Sequence, residues 1–275
     1  MIVVRGVRFV AFVLLAALLG LFMLSRFIDK VIFQPSSGID LRISDLGLDG
    51  EEVHLDSEGV RIHGFYLPTT SPRENARAIL FLHGNAGNAS HRLPNAAELS
   101  QLGAHVLLID YRGYGLSEGT PSESGAYADA RAGLAHLIND RGVPEERIVL
   151  FGRSLGGAIA VDLARDRALA GIILESTFTS VADVAQGMVG SPLASLVRGH
   201  FDSASKIDDI RSPLLFFHGD RDRVIDPALG RRLFELAPEP KHFETIRGAG
   251  HNDTTQVGGR SYFARIARFL DEVAP

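Results

Sequence analysis

The chain has 275 residues, 45% of them hydrophobic, with a formal net charge of −5 and no cysteine or tryptophan. The absence of cysteine excludes disulfides, thiolate metal ligands and a cysteine nucleophile, and the mildly acidic balance supplies no basic footprint for nucleic acid. Once the apolar N-terminus is set aside, about 240 residues remain, an ordinary length for one α/β domain.

Phe9 to Ser25 is a run of 17 residues without charge, bracketed by Arg5, Arg8, Arg26 and Lys30. As a helix it spans roughly 25 Å, enough for a bilayer core when the flanking arginines snorkel. No small-residue cleavage site follows, so residues 1–30 are expected to be an uncleaved, single-pass membrane anchor and 31–275 the globular domain. Arg5, Arg8 and the terminal amine slightly outweigh Arg26 and Lys30 less Asp29, which puts the domain on the extracytoplasmic side by the positive-inside rule. Next, Glu51–Leu55 and Val60–Leu67 read as an antiparallel hairpin around Ser57-Glu-Gly59. Aliphatic strands and helices then alternate: strand Ala78–Leu82, helix about Ala89–Leu102, strand His105–Asp110, helix about Ser124–Arg141. They continue with strand Arg147–Phe151, helix Leu155–Arg165 and strand Ala170–Leu174. Strands over 213–217 and 241–247 flank a helix about Ala228–Leu236, and a helix over Arg260–Val273 closes the chain. This order predicts an α/β fold with a mostly parallel, eight-stranded sheet and helices on both faces. Residues 178–211 form the one long connection between strands. Its Val181, Val184, Met188, Val189, Leu193, Leu196, Val197 and Phe201 suit an acyl-binding wall, and equally a plain helix covering the sheet.

Gly152-Arg-Ser154-Leu-Gly156 stands between a strand and a small-residue helix, the setting of a nucleophile elbow. The same spacing recurs as Gly115-Leu-Ser117-Glu-Gly119, but Thr120-Pro121 cannot carry a helix onward from there, so Ser117 reads as a loop residue. A serine nucleophile needs a base, and the base an orienting carboxylate, here expected in the chain order serine, acid, histidine. His251 lies in a glycine-rich loop just past a strand and is the candidate base. Asp220, Asp222 and Asp226 share the loop after His218-Gly219; Asp226, just before Pro227, reads as a helix cap. His83 and His218 each precede a glycine at a strand end and read as turn-stabilising. The loop His83-Gly-Asn85-Ala86-Gly-Asn is the candidate source of one oxyanion N–H, from Asn85 or alternatively Ala86, with Leu155 supplying the second.

His83-Gly-Asn-Ala-Gly-Asn, Asp110-Tyr-Arg-Gly-Tyr-Gly, Gly152-Arg-Ser-Leu-Gly-Gly, Glu175-Ser-Thr-Phe-Thr-Ser and His218-Gly-Asp-Arg-Asp222 together resemble the α/β-hydrolase superfamily. They are most similar to its small membrane-anchored subgroup, which includes bud-emergence-type and protein-depalmitoylating hydrolases. The likeness runs from about Ile32 to the C-terminus and includes Val31-Ile-Phe-Gln-Pro35. It implies that the acid is Asp222, three residues past the glycine, with Asp220 as fallback. It also implies a Ser-Asp-His hydrolase acting on esters, thioesters or related acyl compounds, with no cofactor or metal. The expected partners are a small or lipid acyl substrate and the membrane. A catalytically idle, membrane-tethered binding protein and a peptidase or amidase are the alternatives. A nucleotide-binding reading is weaker still: Gly113 to Gly119 misses the dinucleotide spacing by one residue, and no phosphate-loop Gly-Lys-Ser/Thr exists.

Overall fold

Strands without a polar face need cover on both sides, and the sheet at the centre of this fold has it. The computed structural model describes residues 28–69, 77–165, 167–190 and 194–274. The expected anchor over Phe9–Ser25 lies outside them, and among the described residues no helix is long and apolar enough to cross a membrane. Eight strands form the main sheet: β1 (Glu51–Ser57), β2 (Val60–Leu67), β3 (Arg77–Leu82), β4 (Ala104–Ile109), β5 (Ile148–Arg153), β6 (Gly171–Glu175), β7 (Leu214–Gly219) and β8 (Lys241–Ile246). Their spatial order is β8-β7-β6-β5-β3-β4-β2-β1. All neighbours from β8 to β4 run parallel, and β2 pairs antiparallel with both β4 and β1.

Alternation along the central strands sends successive side chains into two cores. On one face Ala78, Leu80 and Leu82 of β3 join Ile148 and Leu150 of β5; on the other, Ile79 and Phe81 join Val149 and Phe151. All of these are fully buried, each aliphatic one contributing on the order of 1.5–3 kcal/mol from removed apolar surface. The covering helices are α1 (Leu93–Ser100), α2 (Glu123–Ala135), α3 (Leu155–Ala164), α4 (Val181–Val189), α5 (Pro227–Leu236) and α6 (Thr254–Val273).

One helix start differs from expectation, and another helix has an extra segment before it. Residues 89–92 form a 3-10 turn, because the Asn88 side chain accepts from Ser90 N and tightens the entry to α1. Within α6, Gly259 at φ 49°, ψ −134° is non-helical and divides a short helical segment that starts at Thr254 from the helix expected over Arg260–Val273. Packing also begins before residue 31. Ile28, Ile32 and Phe33 are buried in the core beneath the site, and Phe33 meets the rings of Tyr114 and Phe201.

Candidate active site

Strand β5 delivers the chain into a turn that most residues resist. Ser154 sits at φ 53°, ψ −117°, an outlying conformation that costs on the order of 1–3 kcal/mol and persists only where the surroundings over-determine it. They do so here. Ser154 N donates to Glu175 O at 2.8 Å, and Thr177 Oγ1 donates to Ser154 O at 3.0 Å. A Cβ on Gly156 would stand 2.0 Å from Leu82 O, so the start of α3 can press on β3 only with glycine there.

The loop after β8 brings His251 to this serine. His251 Nε2 lies 3.1 Å from Ser154 Oγ, and His251 Nδ1 lies 2.7 Å from Asp222 Oδ2. The other oxygen of Asp222 accepts from the N–H groups of Val224 and Ile225, both at 2.9 Å. His218 Nε2 approaches Asp222 Oδ2 at 3.3 Å, a contact beyond the turn-stabilising part expected of it. Burial acts to raise the Asp222 carboxyl, but hydrogen bonds from His218 and His251, the charge of His251 and the Ile225 N–H outweigh it. The carboxyl is held well below the usual carboxylate range. The neighbouring acids do other things. Asp220 accepts from Gly248 N at 2.6 Å and braces the histidine loop, while Asp226 caps α5 through Ala228 N. Ser117 is occupied with backbone: its Oγ donates to Asp110 O and accepts from His63 N.

Two residues that sequence reasoning left without a role clamp the His251 loop. Arg153 donates from Nη2 to His251 O at 2.8 Å and pairs through Nε with Glu175 at 3.1 Å. Glu175, fully buried, also accepts from Thr254 Oγ1 and Tyr262 OH, tying the elbow, the histidine loop and α6 together. The signal was present in the sequence: Ile172-Ile-Leu-Glu175 ends an apolar strand in a charge, and such a glutamate is buried only when paired.

The loop from His83 to Ala89 faces the elbow, with Gly84 close enough that a Cβ would stand 3.3 Å from Ser154 Cβ. Residues of the Asp110-Tyr-Arg-Gly-Tyr114 stretch hold it. Tyr111 OH donates to His83 O at 2.9 Å, Tyr114 OH to Asn85 O at 2.8 Å, and Asp110 Oδ1 accepts from Ala89 N at 2.7 Å. His83 Nδ1 donates to Gly84 O at 2.7 Å. The C=O and N–H of a trans peptide point opposite ways, so this bond turns the Asn85 N–H away from His83. Leu155 is the first residue of α3, where backbone N–H groups lack intrahelical acceptors. The segment after residue 28 completes the loop: Gln34 N donates to Asn85 Oδ1 at 2.8 Å, and Gln34–Pro35 pairs in parallel with Ala86–Gly87.

Asn85, Leu155, Ser154 and His251 open together onto a cavity of about 480 Å³. Its walls are apolar: Val31 and Ile32 from the entering segment, Val181, Val184 and Met188 from α4, and Val197 beyond it. The long connection thus contributes a wall, although Phe201 turns into the core against Phe33 and Tyr127, and Leu193 lies outside the described residues.

Comparison with known proteins agrees with this architecture. The family described as serine aminopeptidase, S33 matches residues 73–204. An uncharacterised protein of Mycobacterium tuberculosis is 40% identical over 247 residues, 89% of this chain and 88% of that protein. Protein bem46 of Schizosaccharomyces pombe is 34% identical over 238 residues, 83% of this chain and 79% of its own length. Among solved structures, an alpha-beta hydrolase from Vibrio vulnificus superposes with a TM-score of 0.69 at 26% identity, covering 80% of this chain and 81% of that one. The sheet order, the strained elbow serine and relatives matched along most of their length lead to one assignment: the chain belongs to the α/β-hydrolase superfamily, in its bem46-like subgroup.

Proposed function

We propose that the protein is a membrane-anchored serine hydrolase that cleaves carboxylic esters or thioesters of lipid-like acyl groups, with its catalytic domain on the extracytoplasmic side. The observation that carries this reading is the continuous relay from Ser154 Oγ through His251 (3.1 Å) to Asp222 (2.7 Å), opening on an apolar cavity. His251 Nε2 takes the Ser154 proton as Oγ attacks the acyl carbon, while Asp222 stays ionised and keeps the imidazole in the required tautomer. The backbone N–H groups of Asn85 and Leu155 receive the developing oxyanion; one such donor is worth about 10²–10³ in turnover. When the tetrahedral intermediate collapses, the bond to the leaving oxygen or sulfur breaks, and His251 returns the proton to it. Water, activated by the same histidine, then releases the acid from the acyl-enzyme.

The test is covalent. Wild-type protein should label with a fluorophosphonate and hydrolyse simple esters and thioesters, with kcat/KM rising with acyl length until the apolar cavity is filled. Ser154→Ala should abolish labelling and turnover in a folded protein, whereas Ser117→Ala should retain both. Silence in Ser117→Ala alone would move the nucleophile.

A further inference from the structure

A second cavity, of about 620 Å³, adjoins the acyl cavity, and Arg92, Arg153 and Asn252 line both. Its chemistry is the opposite of its neighbour's. Arg92, Arg153, Arg260 and His91 line it, and Glu98 is the one acidic residue among its lining groups. Two of the four basic groups are already matched: Arg153 by Glu175 at 3.1 Å, and His91 by Asp40 at 2.6 Å. The other two are not. Among the described residues, Arg260, exposed on α6, has no ion pair, and half-buried Arg92 has one hydrogen bond, from Nη2 to Ala86 O at 3.3 Å. Arg92 Nε is sealed from solvent with no partner, as are both polar atoms of the Asn95 side chain beside it. Burial, and after it the nearby charge of Arg153, push the Arg92 guanidinium below its ordinary range, with Glu175 only partly offsetting them. An arginine keeps its proton at neutral pH, so Arg92 presents an uncompensated positive charge at the cavity wall that an arriving anion would offset through the guanidinium's outer nitrogens.

Ser154 and His251 line the apolar cavity alone, but their chain neighbours Arg153 and Asn252 line both, so the second cavity with its unmatched guanidinium groups begins one residue from each of them. We infer that the alcohol half of the substrate ester carries an anionic group, phosphate or carboxylate, received by Arg92 and Arg260 while the acyl half fills the apolar cavity. The inference rests on the serine-hydrolase reading and narrows its substrate class to acyl esters of anionic alcohols.

The experiment compares 1-butyrylglycerol with 1-butyrylglycerol 3-phosphate, two soluble esters that differ only by the phosphate group on the leaving alcohol. A hydrogen bond to a charged group is worth about tenfold or more, so the wild-type kcat/KM ratio should favour the phosphate ester by at least about tenfold. Arg92→Gln should bring that ratio close to one, and Arg92→Lys should restore part of it. Arg260→Gln should lower the ratio by about threefold, as befits an exposed charge, and leave the neutral ester unchanged. If Arg92 merely supports the Ala86 loop, its loss will slow both esters alike, and a parallel loss overturns the inference. A wild-type ratio at or below one overturns it too. A third arm with 1-oleoylglycerol 3-phosphate in phosphatidylcholine vesicles separates sources: charge preference there as well assigns a lipid headgroup, and preference confined to the soluble ester assigns a free phosphorylated alcohol. Titration of Ser154→Ala with glycerol 3-phosphate keeps the two readings apart. Binding that weakens about tenfold on adding Arg92→Gln supports the anion site even if no ester is hydrolysed, which would sink only the hydrolase reading. No saturable binding sinks the anion site, whatever the esterase activity.

Discussion

Asp222 and Asp110 each follow a parallel strand and each lie between two histidines. Asp222 meets His251 at 2.7 Å and His218 at 3.3 Å; Asp110 faces His83 at 3.4 Å and His63 at 3.5 Å. Both carboxyls are drawn below the ordinary carboxylate range although burial acts against it, Asp222 chiefly by its histidines and Asp110 by His63 and His83. By composition and charge the clusters are near duplicates. They part over what lies beyond the histidine. His251, its side chain 11% exposed, reaches a strained serine at the mouth of a cavity; the rings of His63 and His83 are 0% exposed. In the sealed cluster the histidine turns its other nitrogen to the Gly84 carbonyl and Asp110 takes up the Ala89 N–H. Under the proposed function one cluster moves a proton, while the other holds a loop still. A depressed carboxyl therefore marks both kinds of site, and only the third partner separates them.

Three measurements would break or sharpen this division. Asp222→Asn should cost about 10⁴-fold in kcat, because the wrong imidazole tautomer then faces Ser154, with little change in fold by circular dichroism. Asp110→Asn should cost far less, about 10- to 100-fold, since it loosens the loop bearing Asn85, the proposed oxyanion donor, without removing it. The same substitution should lower stability by about 1–3 kcal/mol in urea unfolding, as buried partners lose their charged acceptor. Equal kinetic losses in the two variants would erase the distinction between working and positioning acid. The smallest effect is in pH. A carboxyl held below its unfolded value adds stability that is present above about pH 4 and lost as pH falls toward the folded value. The stability gap between wild type and Asp222→Asn should therefore narrow on acidification from about pH 6 to about pH 3. A gap that holds constant or widens would mean that Asp222 is not stabilised as an anion.

Much of the frame was legible because it is written in local pattern. Aliphatic runs of strand length, the glycine spacing at Ser154 and the glycine-rich loop at His251 each carry their own neighbourhood with them, and β2 and β8 fall within a residue of expectation. Asp222 was separable from Asp220 only by resemblance, since nothing local tells an acid aimed at a histidine from one bracing Gly248 N. What could not be read depends on residues far apart in the chain. Arg153 meets the carbonyl of His251 across 98 positions, and Arg92 and Arg260 reach one cavity from different helical segments. The short helical segment before Gly259 was missed for a different reason. Gly258-Gly259 reads as a break, and Gly259 is one, but the residues from Thr254 up to it are helical as well.

The entry of the chain into the domain sets a leash length. Val31 lines the apolar cavity beside Ser154, and the charge-free run ends at Ser25, a difference of six positions (31 − 25). Six residues reach at most about 20 Å even when fully extended. In the anchored arrangement proposed above, the mouth of the cavity can never stand farther than that from the bilayer surface, and Met188 (73% exposed) and Val31 (56% exposed) on its rim would travel with it. With Ile28 packed into the core and Gln34 paired to Ala86, no slack remains after that point. The enzyme would meet its substrates at one height and within a narrow range of tilts, drawing acyl chains sideways from the lipid leaflet and seldom from bulk water. Splicing a long glycine-serine spacer between Ser25 and Ile28 would leave the chemistry intact and remove that restriction, shifting preference from bilayer-held to dissolved esters.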